Sequence, residues 1–283
     1  MKITVQDFTG IYEYQPFMQD LRKRSAKTTD FHWLDCTQIV GTDCYCDDEA
    51  VKEINELIDS TKRDSSKKEG FLPEIHFFDN GNYHYMSKLW TDRIQEPFTL
   101  IVFDHHPDMQ PPRFGGILSC GGWVLEVLRT NKFVQNVIII GVKDELVETI
   151  REELLQSGED KILDKVAFIK EGELNSTLHL QSISDLKVRD SGRPHTSYPI
   201  YLSIDKDALS PTYAATNWDQ GSLSTDTLKA IIAELSANHK ILGVDICGER
   251  SQDFEGNEHH SIQEADANNN ALNQELVKFL QNL

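Results

Sequence analysis

Short apolar and β-branched runs punctuate the chain at 75–79 (IHFFD), 98–104 (FTLIVFD), 136–142 (NVIIIGV), 166–169 (VAFI), 199–205 (PIYLSID) and 241–247 (ILGVDIC). They are too short for helices and mostly apolar on both faces, as strands buried inside a parallel sheet are. Between them, apolar positions recur at helical spacing. The stretch 48–59 opens on acidic residues, which suit a helix N-terminus. The stretch 144–157 runs into Gly158, a common stop, and 224–238 starts at a Ser/Thr cap. Residues 261–283 read as a long final helix. Strands alternating with helices predict a parallel sheet covered on both faces. No internal repeat divides the chain, and the Lys/Ser-rich segment 61–70 is too short and embedded to mark a boundary. Residues 1–283 therefore read as one domain, with 61–70 and 189–199 its most flexible stretches. Ligands in such sheets gather at the carboxyl ends of the strands, so the chemistry is expected there.

Charge narrows the partners. With 46 Asp and Glu against 28 Lys and Arg, the net charge is −18, which repels phosphate backbones and argues against nucleic acid. The same excess suits metal ions and cationic substrates. No apolar run reaches membrane-spanning length and the start lacks a signal-peptide pattern, which predicts a cytoplasmic protein with no membrane partner. Five cysteines at 36, 44, 46, 120 and 247 form no disulfide framework. Cys44 and Cys46 are too close together for a structural zinc knuckle.

Three polar segments follow the strands. The first is Asp104-His105-His106-Pro107-Asp108. In an extended segment Asp104, His106 and Asp108 share one side, a set that suits a divalent metal. The second is Asp205-Lys206-Asp207, in which two buried carboxylates repel one another unless a cation compensates. That cation is a metal or, in the plainer reading, Lys206. The third offers His84 within DNGNYHYMS, a metal ligand or an ordinary capping histidine. Together they supply four aspartates and two histidines, a donor set suited to a pair of Mn²⁺ ions.

In combination these segments resemble the arginase, agmatinase and formiminoglutamase family, the ureohydrolases. DHHPD is similar to the family's D-A-H-x-D, LSIDKDALSP to S-x-D-x-D-x-x-D-P, GNYHYMS to G-G-D-H-S, and TNWDQGSLST to a segment containing P-G-G-L-T. The resemblance runs from about Asp79 to Glu249 and implies a three-layer α/β/α arginase-like fold with a central parallel sheet. It also implies two Mn²⁺ per chain. One would be held by His84, Asp104, Asp108 and Asp205, the other by His106, Asp104, Asp205 and Asp207, with Asp104 and Asp205 bridging. Such a metal pair activates water to attack the planar carbon of a guanidino or formimino group, with Asp108 as the proton carrier. The substrate would be a small molecule or peptide bearing a cationic guanidino or amidine group. A homo-oligomer is compatible with this reading.

The chain departs from the family in several places. Tyr83 and Ser210 replace motif aspartates that are not direct ligands. The loop after the first motif lacks the family's histidine and reads Gly115-Gly116-Ile117-Leu118-Ser119-Cys120-Gly121-Gly122-Trp123, which argues against free arginine. Ser119 and Cys120 are the candidate substrate-binding residues there. The glycines either present backbone amides to a ligand or merely allow a tight helix start. The family's substrate-pairing Glu on the last strand falls at Gly248, with Glu249 one residue late. Glu249 is a candidate catalytic and substrate-binding residue if a bulge at Gly248 restores its direction, and otherwise a surface residue near Arg250. His259 and His260 read as solvated loop residues, and Trp123 and Trp218 as packing residues flanking the mouth. Two other classes compete with the manganese hydrolase: a zinc deacetylase-like amidohydrolase, against which Asp207 argues, and a metal-binding protein without hydrolytic activity.

Overall fold

The computed structural model describes residues 1–25, 30–61, 73–112, 115–174 and 198–283. Eight strands form the central sheet: β1 (Lys2–Asp7), β2 (Phe31–Asp35), β4 (Glu74–Phe77), β5 (Phe98–Phe103), β7 (Val134–Val142), β8 (Val166–Lys170), β9 (Ile200–Asp205) and β10 (Ile241–Cys247). They lie in the order β2-β1-β4-β10-β9-β5-β7-β8, and every neighbouring pair is parallel. Two further short strands, β3 (Tyr45–Cys46) and β6 (Leu118–Ser119), pair antiparallel as a separate ribbon.

All six runs expected from hydrophobic pattern are strands. β1 and β2 were not expected. On β1, Thr4 and Gln6 face inward and are buried, so a strand deep in the sheet reads as half-polar.

Helices cover both faces. On one, α2 (Asp48–Ser60), α3 (Met86–Thr91), α4 (Trp123–Thr130) and α5 (Asp144–Ser157) bury residues such as Ile54, Leu89, Leu125 and Val147 against Leu100, Val102 and Ile139 of the sheet. On the other, α1 (Pro16–Ser25), α6 (Thr225–Asn238) and α7 (Ile262–Leu280) bury Met18, Ile231 and Leu276 against Ile101, Leu202 and Val244. The result is three layers around two apolar cores. The caps agree with the sequence: Ser224 accepts from Thr227 N, and Ser261 forms a capping box with Glu264. Gly158 ends α5 at φ 76°. The expected flexible segments 61–70 and 189–199 lie largely outside the described residues. Among those described, no helix is long and apolar enough to cross a membrane.

Strand order decides where chemistry converges. β4, β10, β9 and β5 stand side by side at the middle of the sheet, and each hands its polar segment to the same edge. Register pairs Phe103 with Ile204, and Cys247 with Asp205. Asp104, Asp205 and Cys247 are therefore adjacent on the face covered by α2 to α5.

Candidate metal centre

Asp205 closes β9 and points inward as its last residue. Its Oδ1 accepts from Asp207 N at 2.9 Å, which winds the chain into a short 3-10 turn and brings the second carboxylate back to the same side. Asp207 Oδ1 accepts from His105 N at 3.0 Å, tying this turn to the one after β5. There, Asp104 Oδ1 accepts from His106 N at 2.6 Å. The segment is not extended beyond Phe103. Asp104, His106 and Asp108 share a side because the chain bends, with Asp108 at φ 49°, and not because of strand alternation. A non-glycine residue in this left-handed region marks a position held by its surroundings.

His84 follows a 3-10 turn (Gly81–Tyr83) capped by Asn80. Its Nδ1 lies 3.0 Å from Asp108 Oδ2, 3.2 Å from Asp104 Oδ2 and 3.4 Å from Asp205 Oδ2. Its Nε2 meets Ser203 Oγ at 2.9 Å, which fixes the ring and leaves Nδ1 facing the carboxylates. His106 is arranged alike. Nδ1 lies 2.9 Å from Asp207 Oδ2 and 3.5 Å from Asp104 Oδ1, while Nε2 meets Asp219 Oδ1 at 2.9 Å. A carboxylate behind the imidazole is the usual way of orienting a metal-binding histidine.

The donors fall into compact groups. His84, Asp104 and Asp108 form one, and Asp104, His106 and Asp207 another; in each, the donor atoms all lie within 4.8 Å of one another. Asp104 belongs to both. Asp205 joins His84 and Cys247 in a third group. All six residues proposed from sequence are thus brought together, and His106 alone among them is more than marginally exposed.

The donors fit divalent cations. Asp104 Oδ2 is buried with no well-aligned donor, its nearest being His84 Nδ1 at 3.2 Å, which is costly for a carboxylate unless a cation completes it. Burial and the Asp207 charge push the Asp205 carboxyl up, and burial and Asp104 do the same to Asp207. Burial opposes charge on the imidazoles. Even so, hydrogen bonds to Asp104 and Asp207 raise His106 well above its ordinary range. His84 is raised too, first by Cys247 and then by hydrogen bonds to Asp104 and Asp108. The site draws positive charge from whatever can supply it. Lys206 does not supply it: its ammonium bonds Glu249 Oε1 at 2.6 Å instead.

A cavity of about 270 Å³ opens onto this cluster. Its walls include Cys44, Tyr45, Gln110, Ser119, Cys120, Gly121, Leu146, Ile150, Glu153 and Trp218. Ser119 and Cys120 are both on its wall. Gly121 lines it too, but a side chain on Gly122 would meet the Gln110 carbonyl at 2.8 Å, so that glycine serves a tight helix start. Trp218 is 43% exposed at the wall. Trp123 is fully buried, and its Nε1 donates to Asp108 Oδ2 at 2.7 Å.

A model of the arginase family matches residues 82–251. The chain belongs to the arginase family. This arginase-family hydrolase resembles an uncharacterised protein of Thermotoga maritima, 27% identical over 247 residues, 87% of this chain and 79% of that one. Its fold matches agmatine ureohydrolase of Thermoplasma volcanium with a TM-score of 0.62 at 13% identity, covering 98% of this chain and 87% of the other. It also matches an arginase-like protein of T. brucei, a triple mutant bound with Mn²⁺. There the TM-score is 0.55 at 17% identity, covering 98% and 90%.

Glu249 requires a correction. Gly248 does take a left-handed φ of 89°, but Glu249 is neither on the surface nor on the cavity wall. It is 1% exposed and bonded through both oxygens, to Lys206, Asn273 Nδ2 (2.7 Å) and Gln15 Nε2 (2.8 Å). No bulge is formed there: β10 ends at Cys247, Gly248 packs on Asp205 and Lys206, and Glu249 N donates to the Asp79 carbonyl at 3.1 Å. His260 is likewise buried, its Nε2 bonded to the Pro211 carbonyl; His259 is exposed. Sequence reasoning missed Asp219 and Cys247. Asp219 lies in the TNWDQGS segment, where a signal was available; Cys247 shows its place only through strand register.

Proposed function

We propose that this arginase-family protein is a binuclear, manganese-dependent hydrolase of a linear C–N bond in a guanidino or formimino compound. The observation that carries the reading is the pair of donor groups sharing Asp104. His84, Asp104, Asp108 and Asp205 would hold one ion; His106, Asp104, Asp205 and Asp207 the other. When bound, such a pair supplies an activated water near neutral pH and positive charge where negative charge develops.

The protein's own groups do the rest. Ser203 and Asp219 hold the imidazoles in their binding orientations. Trp123 Nε1 donates to Asp108 Oδ2, and in this reading Asp108 would accept the water's proton and deliver it to the departing nitrogen. Addition of water and loss of that nitrogen then balance as amine plus urea from a guanidino substrate, or amine plus formamide from a formimino one. Glu153 on the cavity wall favours a cationic substrate. Ser119 and Cys120 contact it, and arginine within a peptide is as admissible as a small molecule. Cys120 is not the nucleophile, because the activated water fills that role.

The test is a product screen of Mn²⁺-loaded protein across arginine, agmatine, formiminoglutamate, guanidino acids and arginyl peptides, with elemental analysis of the metal. Urea or formamide with two ions per chain supports the reading. Acetate from an acetylated amine, with one zinc, supports a deacetylase. Tight metal with no product supports a binding protein.

A further inference from the structure

Two cysteines meet in the wall of the cavity. β3 and β6 pair Tyr45 with Ser119 and Cys46 with Leu118. The same register places Cys44 opposite Cys120, and Cys120 N donates to the Cys44 carbonyl at 2.9 Å. Opposed positions of an antiparallel pair hold their Cα atoms about 4.5–5.5 Å apart, inside the window of about 4.4–6.8 Å that a disulfide spans. Both residues are part-exposed and both line the cavity. The other three cysteines, Cys36, Cys46 and Cys247, are buried.

The two thiols are not equivalent. The Cys120 thiol beside it holds Cys44 below the ordinary thiol range, whereas that same contact and burial raise Cys120. When one of two neighbouring, part-exposed thiols is oxidised, the other is placed to resolve the product. Cys44 is also held at φ 59° by the turn into β3.

We propose that Cys44 and Cys120 form an oxidisable dithiol, a modification site for hydroperoxides set in the wall of the substrate cavity. The Cys44 thiolate attacks the peroxide oxygen, giving a sulfenic acid and hydroxide. The Cys120 sulfur then displaces the sulfenic oxygen, which leaves as water with the thiol proton. In sum, two thiols and one hydrogen peroxide give one disulfide and two waters. The cross-link fixes β6 against β3, three residues before the Trp123 indole that steers Asp108, so oxidation state reaches the proton carrier.

The experiment treats the full-length protein with hydrogen peroxide, blocks remaining thiols and maps peptides without reduction. The expected result is a Cys44–Cys120 cross-linked peptide, a mass loss of two hydrogens, and a fall from five free thiols to three, all reversed by dithiothreitol. The oxidised protein should also melt higher, since the bond closes a long loop. Cys120→Ser should convert the product to a dimedone-reactive sulfenic acid at Cys44, while Cys44→Ser should leave Cys120 unlabelled. A cross-link to Cys46, sulfinic acid on either cysteine without a cross-link, or five thiols surviving peroxide that oxidises free cysteine would each overturn the proposal. None of these readouts depends on turnover.

Discussion

Replacing Glu249 with Gln separates a buried structural carboxylate from a catalytic one. Lys206 is fully buried and has its ammonium 2.6 Å from Glu249 Oε1; its other contact, Asn273 Oδ1 at 3.4 Å, is neutral. Glu249→Gln keeps the shape but leaves that ammonium without a counter-charge, a loss of about 3–5 kcal/mol for a buried pair broken on one side. For 283 residues, an unfolding entropy of about 2.1 cal/mol/K per residue gives about 0.6 kcal/mol/K. The melting temperature should therefore fall by about 5–8 °C. Adding Lys206→Met removes the stranded charge and should recover at least half the loss, because a buried pair replaced by neutral groups is often isoenergetic. Scanning calorimetry of the two variants reads this, and steady-state kinetics at a temperature where both are folded reads catalysis. kcat and KM of Glu249→Gln should stay within a few-fold of the parent. An unchanged melting curve with kcat reduced by orders of magnitude would refute the reasoning and return Glu249 to the substrate.

Chelation should lower the melting temperature by about 14 °C, from the roughly 8 kcal/mol lost when two ions, each held a thousandfold above Kd, are withdrawn; an unchanged curve with metal loss confirmed would make the site peripheral. Asp219→Asn frees His106 Nε2 from its carboxylate and should weaken metal affinity by about 10–100-fold in competition with a chromophoric chelator; unaltered affinity would show that His106 needs no orienting partner. Trp123→Phe keeps a ring over His84 but removes the donor to Asp108, and should lower kcat by about tenfold with KM little changed; a rise in KM alone would place Asp108 in binding rather than proton transfer.

The sheet's six apolar strands were legible because burial on both faces demands continuous apolar sequence, and the donor set was legible because carboxylates at strand ends have few other reasons to cluster. Asp104, Asp205 and Asp207 were found that way. β1 was hidden by Thr4 and Gln6, polar residues on an inward face. The burial of Glu249 was not legible because one left-handed residue, Gly248, redirects the chain before it, and a backbone angle has no signature beyond the glycine itself. Asp219 was overlooked because its role is indirect: it touches His106 and would touch no metal. The pairing of Cys44 with Cys120 depends on two strands of two residues each, below the length at which periodicity carries information.

Asp104 and Asp205, neighbours across β5 and β9, lie 101 positions apart in the chain, and His84 comes from a third strand's end. A fragment that stops short of β9 carries the group of His84, Asp104 and Asp108 but lacks Asp205 and Asp207, so it cannot complete the shared cluster. On the two-metal reading proposed above, full loading would wait for the non-local pairing of β9 between β5 and β10. Were the cluster to bind metal as proposed, withholding the ion would leave a folded chain with its carboxylates gathered but uncompensated, rather than an unfinished fold.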